Sequence, residues 1–533
     1  MNPMDYWSLK QYLPRQDQIE IINEISDAIN MDYEYIILEA GTGIGKSAIA
    51  TTIADWYGDS YILTMTKQLQ KQYLDDYANI VTEIKGRGNY PCKYGGFCDE
   101  CYLAAIELKP KLCNDCKYKK AKLEALASKH IITNYHYLWF AGQYDNSFLK
   151  RNLLILDEAH KIDSFIKQMI SHELRRGFII RNFGIDIFDR VRNGGKLTEI
   201  QTPEYWIGIC GRLIDLVKRE YENPKNADEI NKRESAIKKY STMIDELENI
   251  DDWVIDLPTK NAIINDGELE YSNLTMSLKP LNSSEYSELL FDNGEVKLFM
   301  TGTLGGKTAF CKQLGIGEEE VYYMFRKSPF PKEKRPIYTS YVKNMSGRTD
   351  GVPNWQDPTV IEGIKNIINS YSDVKGVIHT ASNQQSWFVK NSLKEHIDRP
   401  ILIVDSRYYN REDSIRMFEN HKEPAILIGA GVHTGVDFKD DKCRFQIIYK
   451  LPFPYLGDVQ TNILRQRDPE WYIRETVLPL EQAYGRGVRG IDDYCDCYVI
   501  DESLEGLLEK NISLFNDYFL EAVTDYEGVA YGK

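Results

Sequence analysis

The stretch AGTGIGKS, residues 40–47, follows the short apolar run YIIL, residues 35–38. A buried strand, a glycine-rich turn and a Lys-Ser pair at the start of a helix together predict a phosphate-binding P-loop. The glycines let backbone N–H groups point into one concavity, and the helix adds the positive end of its dipole. Lys46 is placed to reach the β- and γ-phosphates, and the Ser47 hydroxyl to ligate Mg²⁺. We predict that eight residues hold the nucleotide: Ala40, Gly41, Thr42, Gly43, Ile44, Gly45, Lys46 and Ser47.

A second motif, NLLILDEAH at residues 152–160, places two carboxylates at the end of an apolar strand. Asp157 is predicted to hold Mg²⁺, and Glu158 to polarise the attacking water. Taken alone, DEAH could also begin an amphipathic helix. Its position about 110 residues after a P-loop favours a Walker B element. The two motifs together predict hydrolysis of a nucleoside triphosphate rather than phosphate binding alone.

The bulk composition is that of an ordinary globular protein. The chain has 533 residues, enough for two to four domains, of which 43% are hydrophobic and 27% charged. No apolar run approaches the ~18 residues of a membrane span, and the N-terminus lacks the layout of a signal peptide, so we expect a cytoplasmic protein. The net charge of −15 argues against a surface that is basic throughout, although local basic patches could still bind nucleic acid.

Five of the ten cysteines crowd into one short segment; they are Cys92, Cys98, Cys101, Cys113 and Cys116. In a cytoplasmic chain this density indicates a metal rather than disulfides. From the spacing alone, tetrahedral zinc is the first expectation and an iron–sulfur cluster the second; both use four thiolates, so one cysteine is surplus. Residues 85–129 also hold ten Lys/Arg against five Asp/Glu. This excess suits contact with a phosphate backbone, the alternative being a solvated charged face.

Further segments complete a pattern that runs along nearly the whole chain. LPRQDQ precedes the P-loop at residues 13–18, and QAYGRGVRG lies near the end of the chain at residues 482–490. Between them, in order, are TMTKQLQKQ (64–72), GRGNYPC (86–92), FMTGTL (299–304), SPFP (328–331), GVIHTAS (376–382), ILIGAGVHTGVDF (426–438) and KLPFP (450–454). In this order the segments resemble the motifs of the superfamily 2 iron–sulfur DNA helicases of the XPD and DinG type.

The resemblance implies an α/β fold with two RecA-like, P-loop NTPase motor lobes and two inserts in the first lobe. Lobe 1 would comprise residues 1–84, 130–164 and 278–327. The inserts would be an iron–sulfur domain at 85–129 and a mostly helical arch at 165–277, and lobe 2 would be 328–533. Short apolar runs predict strands of the lobes at 36–38, 61–64, 131–133, 153–156, 298–300, 377–379, 401–404, 426–428 and 446–449.

The resemblance also implies the roles of particular residues. Arg15 and Gln18 would read the adenine, and Gln482, Arg486 and Arg489 occupy the positions of the family's motif VI, with the two arginines as arginine fingers. Thr434 departs from the Glu that relatives often carry there. The metal would be a [4Fe–4S] cluster rather than zinc, with four of the five cysteines as ligands. Among these, Cys92 and Cys116 match best as the outer ligands, and the choice among Cys98, Cys101 and Cys113 stays open.

By the same resemblance, the expected activity is that of an ATP- and Mg²⁺-dependent DNA helicase with 5′→3′ polarity. Its partners would be single-stranded and forked DNA, in repair, replication or recombination, and a monomeric motor is expected. The alternative is an ATP-driven translocase or clamp that remodels protein–DNA complexes without net unwinding.

Overall fold

Two parallel β-sheets of seven strands each form the framework of the molecule. The computed structural model describes residues 2–93, 95–100, 115–224, 227–265, 274–408, 410–432, 438 and 440–524. In the first 330 residues the strands are β1 (Tyr35–Ala40), β2 (Ser60–Thr64), β3 (Thr82–Glu83), β4 (His130–Asn134), β5 (Arg151–Asp157), β6 (His172–Arg175), β7 (Trp253–Asp256), β8 (Thr275–Pro280), β9 (Gly294–Thr301) and β10 (Val321–Arg326).

The sheet of lobe 1 has the strand order β10-β1-β9-β5-β2-β4-β3, and every pair is parallel. Strand β1 is buried along its whole length. Its alternate side chains enter two different cores, with Ile37 on one face and Ile36 and Leu38 on the other. Burial on both faces explains why the strands are continuous apolar runs in the sequence. Because all strands run the same way, their carboxyl ends meet at one edge, where the P-loop and the DEAH motif follow β1 and β5.

Helices cover both faces of this sheet and form most of the insert. They are α1 (Gln16–Asn30), α2 (Lys46–Tyr57), α3 (Lys67–Tyr77), α4 (Lys117–Ala127), α5 (Tyr135–Tyr144), α6 (Ile162–Ile170), α7 (Arg176–Phe183), α8 (Asp189–Arg192), α9 (Pro203–Glu220), α10 (Ala227–Glu248), α11 (Lys260–Asn265), α12 (Glu288–Phe291) and α13 (Lys307–Leu314). Helices α9 and α10 bury one apolar face each, including Trp206 and Met243, in the larger core of lobe 1.

The region expected to be a mostly helical arch also contains a small antiparallel sheet that the sequence did not predict. Its order is β6-β8-β7. Strand β8 alternates between buried and partly exposed residues, as a strand with one covered face does. Strands β6 and β8 pair although about 100 residues separate them, so no local signal in the sequence announces their pairing.

Lobe 2 repeats the parallel architecture without large inserts. Its strands are β11 (Ile337–Lys343), β12 (Arg348–Thr349), β13 (Val352–Pro353), β14 (Gly376–Thr380), β15 (Ile401–Val404), β16 (Ile426–Ala430), β17 (Phe445–Ile448), β18 (Asp496–Asp501) and β19 (Val523–Thr524). Its helices are α14 (Pro358–Asn369), α15 (Asn383–Leu393), α16 (Arg411–Glu419), α17 (Val459–Arg467), α18 (Pro469–Tyr484), α19 (Ser503–Asn511) and α20 (Asp517–Leu520). The order of the main sheet is β15-β16-β14-β17-β18-β11-β19.

All nine strands predicted from short apolar runs are present, each shifted by at most a few residues at its ends. The prediction of an α/β fold with two RecA-like lobes is therefore confirmed. Over the described residues, no helix combines the length and apolarity that crossing a membrane requires.

Candidate active site between the two lobes

The P-loop joins β1 to α2 and has the backbone shape that its sequence requires. Gly43 and Gly45 have φ angles of +88° and +86°, a region that residues with a Cβ rarely adopt. Lys46 donates a hydrogen bond from Nζ to the Ala40 carbonyl at 2.8 Å, which folds its side chain back over the loop. The Thr42 hydroxyl is buried and has no hydrogen-bond partner. A concave loop with a buried cation and an unsatisfied hydroxyl fits a bound phosphate group.

Arg15 and Gln18, at the start of α1, lie directly against this loop. Arg15 Nη2 donates to the carbonyls of Gly43 and Ile44 at 2.6 and 2.7 Å. Gln18 Nε2 donates to the Ile44 carbonyl at 2.9 Å, while its Oε1 accepts from the Arg15 N–H at 2.9 Å. The structure therefore connects both residues to the nucleotide loop; the predicted role in reading adenine stays a prediction.

Asp157 ends β5 and is held in place from two sides. Its Oδ1 accepts the Glu158 N–H at 2.9 Å, and its Oδ2 accepts the Tyr73 hydroxyl at 3.2 Å. Burial, reinforced by the charge of Glu158, raises the pKa of Asp157 to about 6. A divalent cation would relieve this buried negative charge, so Asp157 together with Ser47 fits the predicted Mg²⁺ site.

Glu158 adopts a left-handed backbone conformation with φ of +56°, which is uncommon for a residue other than glycine. Burial alone would raise the pKa of its carboxyl. The charges of His160, whose ring is protonated only at low pH, of Arg486 and of Lys161 outweigh burial and lower that pKa to about 2. Glu158 is therefore ionised at neutral pH and can accept a hydrogen bond or a proton from water in the cleft.

Two arginines of lobe 2 reach the same cleft. Arg486 Nη2 lies 3.8 Å from Glu158 Oε1, and the backbone N–H of Arg489 bonds to Asp493 at 2.9 Å. Burial lowers the pKa of Lys46, and the carboxylates of Asp157 and Glu158 oppose this effect. The positive charges of Arg486 and Arg489 lower the same pKa further. The predicted residues of the two lobes thus share one electrostatic environment.

A hydrogen-bonded chain also crosses between the lobes. Gln482 Nε2 on α18 contacts His160 Nε2 at 2.5 Å, and His160 Nδ1 lies 2.9 Å from Thr301 Oγ1. Thr301 in turn donates to the Thr303 carbonyl at 2.7 Å. Burial lowers the pKa of His160 to about 4, so its ring is neutral at neutral pH. The Gln482 amide nitrogen can only donate a hydrogen bond, so Nε2 accepts it. We therefore assign the proton of the neutral ring to Nδ1.

Sequence reasoning missed several residues that shape this site. The sequence analysis did not single out Tyr73 and Tyr135, yet their hydroxyls bond to the side chain and backbone of Asp157. Arg411 at the start of α16 is half-buried in lobe 2 and interacts electrostatically with Lys161 and Arg486. Nothing in the local sequence distinguishes these residues, because each acquires its role from partners distant in the chain.

The cysteine segment is described in part. Cys98 is buried, and its Sγ lies 3.9 Å from that of Cys116, which precedes α4. Cys101 and Cys113 lie outside the described residues, as does Thr434. Within the described ranges, no group of three or more His, Cys, Asp or Glu is arranged to hold a metal ion. Two neighbouring thiols on a short loop and a helix start nevertheless fit two ligands of one metal group.

A groove of about 710 Å³ lies between lobe 2, α6 and the insert. Three lysines line it, Lys167, Lys239 and Lys279, together with Trp471 of lobe 2 and three carboxylates, Asp163, Glu173 and Glu475. Lys167 Nζ lies 6.0 Å from the Trp471 ring centre, while Lys279 forms ion pairs with Asp256 and Asp458. Cations beside an aromatic face are the chemistry that proteins use to hold a single nucleic-acid strand.

Parallel sheets, a P-loop and a carboxylate pair facing arginines define the class: a nucleoside triphosphatase with two RecA-like lobes. Two family models match the chain, "Type III restriction enzyme, res subunit" over residues 11–180 and "Helicase C-terminal domain" over residues 364–514. A solved XPD helicase superposes with a TM-score of 0.58 over 96% of this chain and 99% of its own, at 16% identity. This similarity establishes the fold.

Curated relatives match over shorter segments. The Fanconi anemia group J protein homolog of Gallus gallus is 26% identical over 130 residues, which are 22% of this chain and 10% of that protein. The ATP-dependent DNA helicase CHL1 of Vanderwaltozyma polyspora is 26% identical over 102 residues, 15% of this chain and 12% of that protein. The matched segments thus span about a tenth of these relatives. In its fold and in the order of its motifs the chain is similar to the XPD helicase, and the two family models each match part of it.

Proposed function

We propose that this chain is an ATP-dependent DNA helicase that moves along single-stranded DNA and unwinds duplex DNA ahead of it. One observation carries the proposal: Lys46 and Glu158 of lobe 1 share one cleft with Arg486 and Arg489 of lobe 2. A cleft completed by two lobes couples ATP hydrolysis to their relative movement, which is the step a translocating motor needs.

The chain's own residues have separable tasks in hydrolysis. Lys46 and the P-loop N–H groups bind the phosphates, and Ser47 and Asp157 would hold Mg²⁺, which neutralises phosphate charge when bound. Glu158, ionised at neutral pH, orients the attacking water and accepts its proton. Arg486 and Arg489 stabilise the charge that develops on the γ-phosphoryl group, and they can do so only while the lobes are closed.

The DNA would follow the groove between lobe 2 and the insert. The lysines of the groove and Trp471 supply charge and a stacking surface there. Lys117, Lys119 and Lys120 at the start of α4 are exposed and would supply a basic track beside the cysteine segment. Because the chain as a whole is acidic, it would bind the DNA phosphates through these few lysines. The salt dependence of its affinity would then come from those lysine contacts.

We further propose that four of the five clustered cysteines hold a [4Fe–4S] cluster that stabilises a segment with little core of its own. The short distance between Cys98 and Cys116 favours both as ligands, which leaves Cys101 or Cys113 as the surplus residue. Absorbance and iron content of anaerobically purified protein test this proposal. One equivalent of zinc in a colourless protein would contradict the cluster and leave the ATPase proposal intact.

The decisive experiment for the main proposal uses duplexes with a 5′ or a 3′ single-stranded tail. We expect ATP-dependent unwinding of the 5′-tailed duplex, and no unwinding by the Lys46→Ala variant. Displacement of streptavidin from a biotinylated strand, without any strand separation, would favour the translocase instead. Unwinding of 3′-tailed duplexes alone would contradict the 5′→3′ polarity.

Neutralising Lys117, Lys119 and Lys120 to alanine tests the basic track. We expect weaker single-strand binding and a flatter slope of log affinity against log salt, because fewer counterions are released. A matched triple variant neutralises three exposed lysines of lobe 2, namely Lys394, Lys422 and Lys510. An unchanged slope in the first variant would remove the start of α4 from the proposed DNA path.

A further inference from the structure

The linker between the lobes packs directly on the P-loop. It runs from the end of β10 to the start of β11, residues 327–336. Ser328 Oγ donates a hydrogen bond of 2.7 Å to the carbonyl of Thr42. A Cβ atom added at Gly41 would lie 2.7 Å from the Ser328 backbone nitrogen, so the two backbones are in close contact. The linker is therefore in direct contact with the phosphate loop.

Phe330 extends this contact into lobe 2. A Cβ atom added at Gly43 would lie 2.3 Å from the Phe330 ring, so the ring rests on the bare Cα of that glycine. The same ring is buried among core side chains of lobe 2 that include Val377 and Phe418. One side chain thus belongs to the core of lobe 2 and touches the nucleotide loop of lobe 1.

Arg335 connects the linker to the end of α18, the helix that precedes Arg486 and Arg489. Its side chain is 1% exposed, and its Nε donates to the Phe330 carbonyl at 3.1 Å. Its Nη1 donates to the Tyr484 hydroxyl at 2.8 Å, and that hydroxyl donates to the Arg335 carbonyl at 2.7 Å. Tyr484 is the last residue of α18 and stands two positions before Arg486. The guanidinium carbon of Arg335 also lies 3.5 Å from the centre of the Tyr518 ring.

We propose that Ser328 is a positioning residue that couples the occupancy of the P-loop to the placement of Arg486. The Thr42 carbonyl belongs to the peptide that supplies the Gly43 N–H to the phosphate concavity, so phosphate binding and the Ser328 hydrogen bond act on one rigid unit. A displacement of that peptide shifts the linker, and the linker is bound through Phe330 and Arg335 to the end of α18. This inference rests on the proposed ATPase function and adds the route by which the loop and lobe 2 are connected.

The test is the coupling between nucleotide and DNA binding. The coupling factor is the ratio of the dissociation constants of a non-hydrolysable ATP analogue without and with single-stranded DNA. Ser328→Ala removes one hydrogen bond, whose typical worth corresponds to about a five-fold change in an equilibrium constant. We expect the coupling factor to fall by about five-fold in Ser328→Ala, with the analogue's affinity in the absence of DNA changed less than two-fold. The matched control is Ser346→Ala, at an exposed serine of lobe 2.

Phe330→Leu provides a second variant, because leucine keeps the lobe 2 core apolar and withdraws the ring from Gly43. We expect the same loss of coupling in this variant. An unchanged coupling factor in Ser328→Ala would overturn the inference, and so would an equal loss of analogue affinity with and without DNA, which is the mark of a merely structural role. Wild-type protein that neither hydrolyses ATP nor couples nucleotide to DNA would instead contradict the proposed function.

Discussion

Lobe 1 and lobe 2 have the same framework, yet they bring opposite charges to the cleft. At its carboxyl edge, lobe 1 presents Asp157 and Glu158 beside the P-loop, whereas lobe 2 presents guanidinium groups from α16 and from the turn after α18. Phosphate binding depends on the local backbone of one loop, so one lobe can supply it. In the proposed mechanism, stabilisation of the transferring phosphoryl group also needs the guanidinium groups of lobe 2. Neither lobe would then be a complete catalyst, and this division would couple chemistry to closure.

Removal of the lobe 2 arginines should have the largest effect. Arg486→Ala and Arg489→Ala should each lower ATP turnover by about 10³-fold, because the developing phosphoryl charge loses a fixed guanidinium. Steady-state ATPase rates with single-stranded DNA measure this effect. Lysine should not restore the rate fully, since it lacks the planar fork. Arg467→Ala, an exposed arginine of α17, is the control. A normal rate in either alanine variant would show that the residue is no arginine finger.

On the lobe 1 side, Glu158→Gln should separate binding from chemistry. The amide keeps the size of the side chain but cannot accept the proton of the water, so turnover should fall by about 10²-fold or more while ATP still binds. Nucleotide binding measured by fluorescence, beside the ATPase rate, tests both halves of this statement. Loss of ATP binding in the variant would mean that Glu158 supports the P-loop rather than the chemistry.

The two lobes also differ in how much their sequences could predict. The strands, the P-loop and the DEAH motif follow from patterns a few residues long, because apolar burial and the close approach of phosphate constrain neighbouring residues. The β6-β8 pairing was missed, since it joins segments far apart in the chain. Arg335 was missed for a related reason: a buried arginine is recognised only by the carbonyls and hydroxyls that surround it. Arg486 and Arg489 were predicted through family resemblance, not through local physics.

A smaller effect is expected at the tyrosine that holds Asp157. Tyr73→Phe removes a hydrogen bond to Oδ2, which leaves the carboxylate less well oriented, and should raise the Mg²⁺ concentration for half-maximal ATPase by up to about 10-fold. A Mg²⁺ titration of the ATPase rate measures the shift. Tyr77→Phe is a matched control, because Tyr77 is a buried tyrosine of the same helix whose ring packs against Tyr73. Equal Mg²⁺ requirements in the two variants would contradict the assigned role.

The smallest effect is expected at the N-terminal cap of α14, a helix of lobe 2. In lobe 1, by contrast, the residues at the start of α1 bond to the P-loop. Asp357 precedes α14, and its Oδ1 accepts the backbone N–H and the hydroxyl of Thr359 at 2.9 and 2.7 Å. Its ion pair with Lys343 and these hydrogen bonds lower the pKa of Asp357 to about 2. Asp357→Ala should therefore reduce the free energy of unfolding of lobe 2 by about 1 kcal/mol, or roughly 2–4 °C in melting temperature, and leave ATP hydrolysis unchanged.

The pH dependence of this capping contribution follows from the lowered pKa of Asp357. A carboxylate whose folded-state pKa is depressed stabilises the fold fully above its unfolded value, near pH 4, and loses that contribution as the pH falls toward 2. The difference in melting temperature between wild type and Asp357→Ala should accordingly be constant from pH 5 to 8 and shrink below pH 4. A difference that persists undiminished at pH 2.5, or a loss of ATPase activity in the variant, would mean that Asp357 does more than cap a helix.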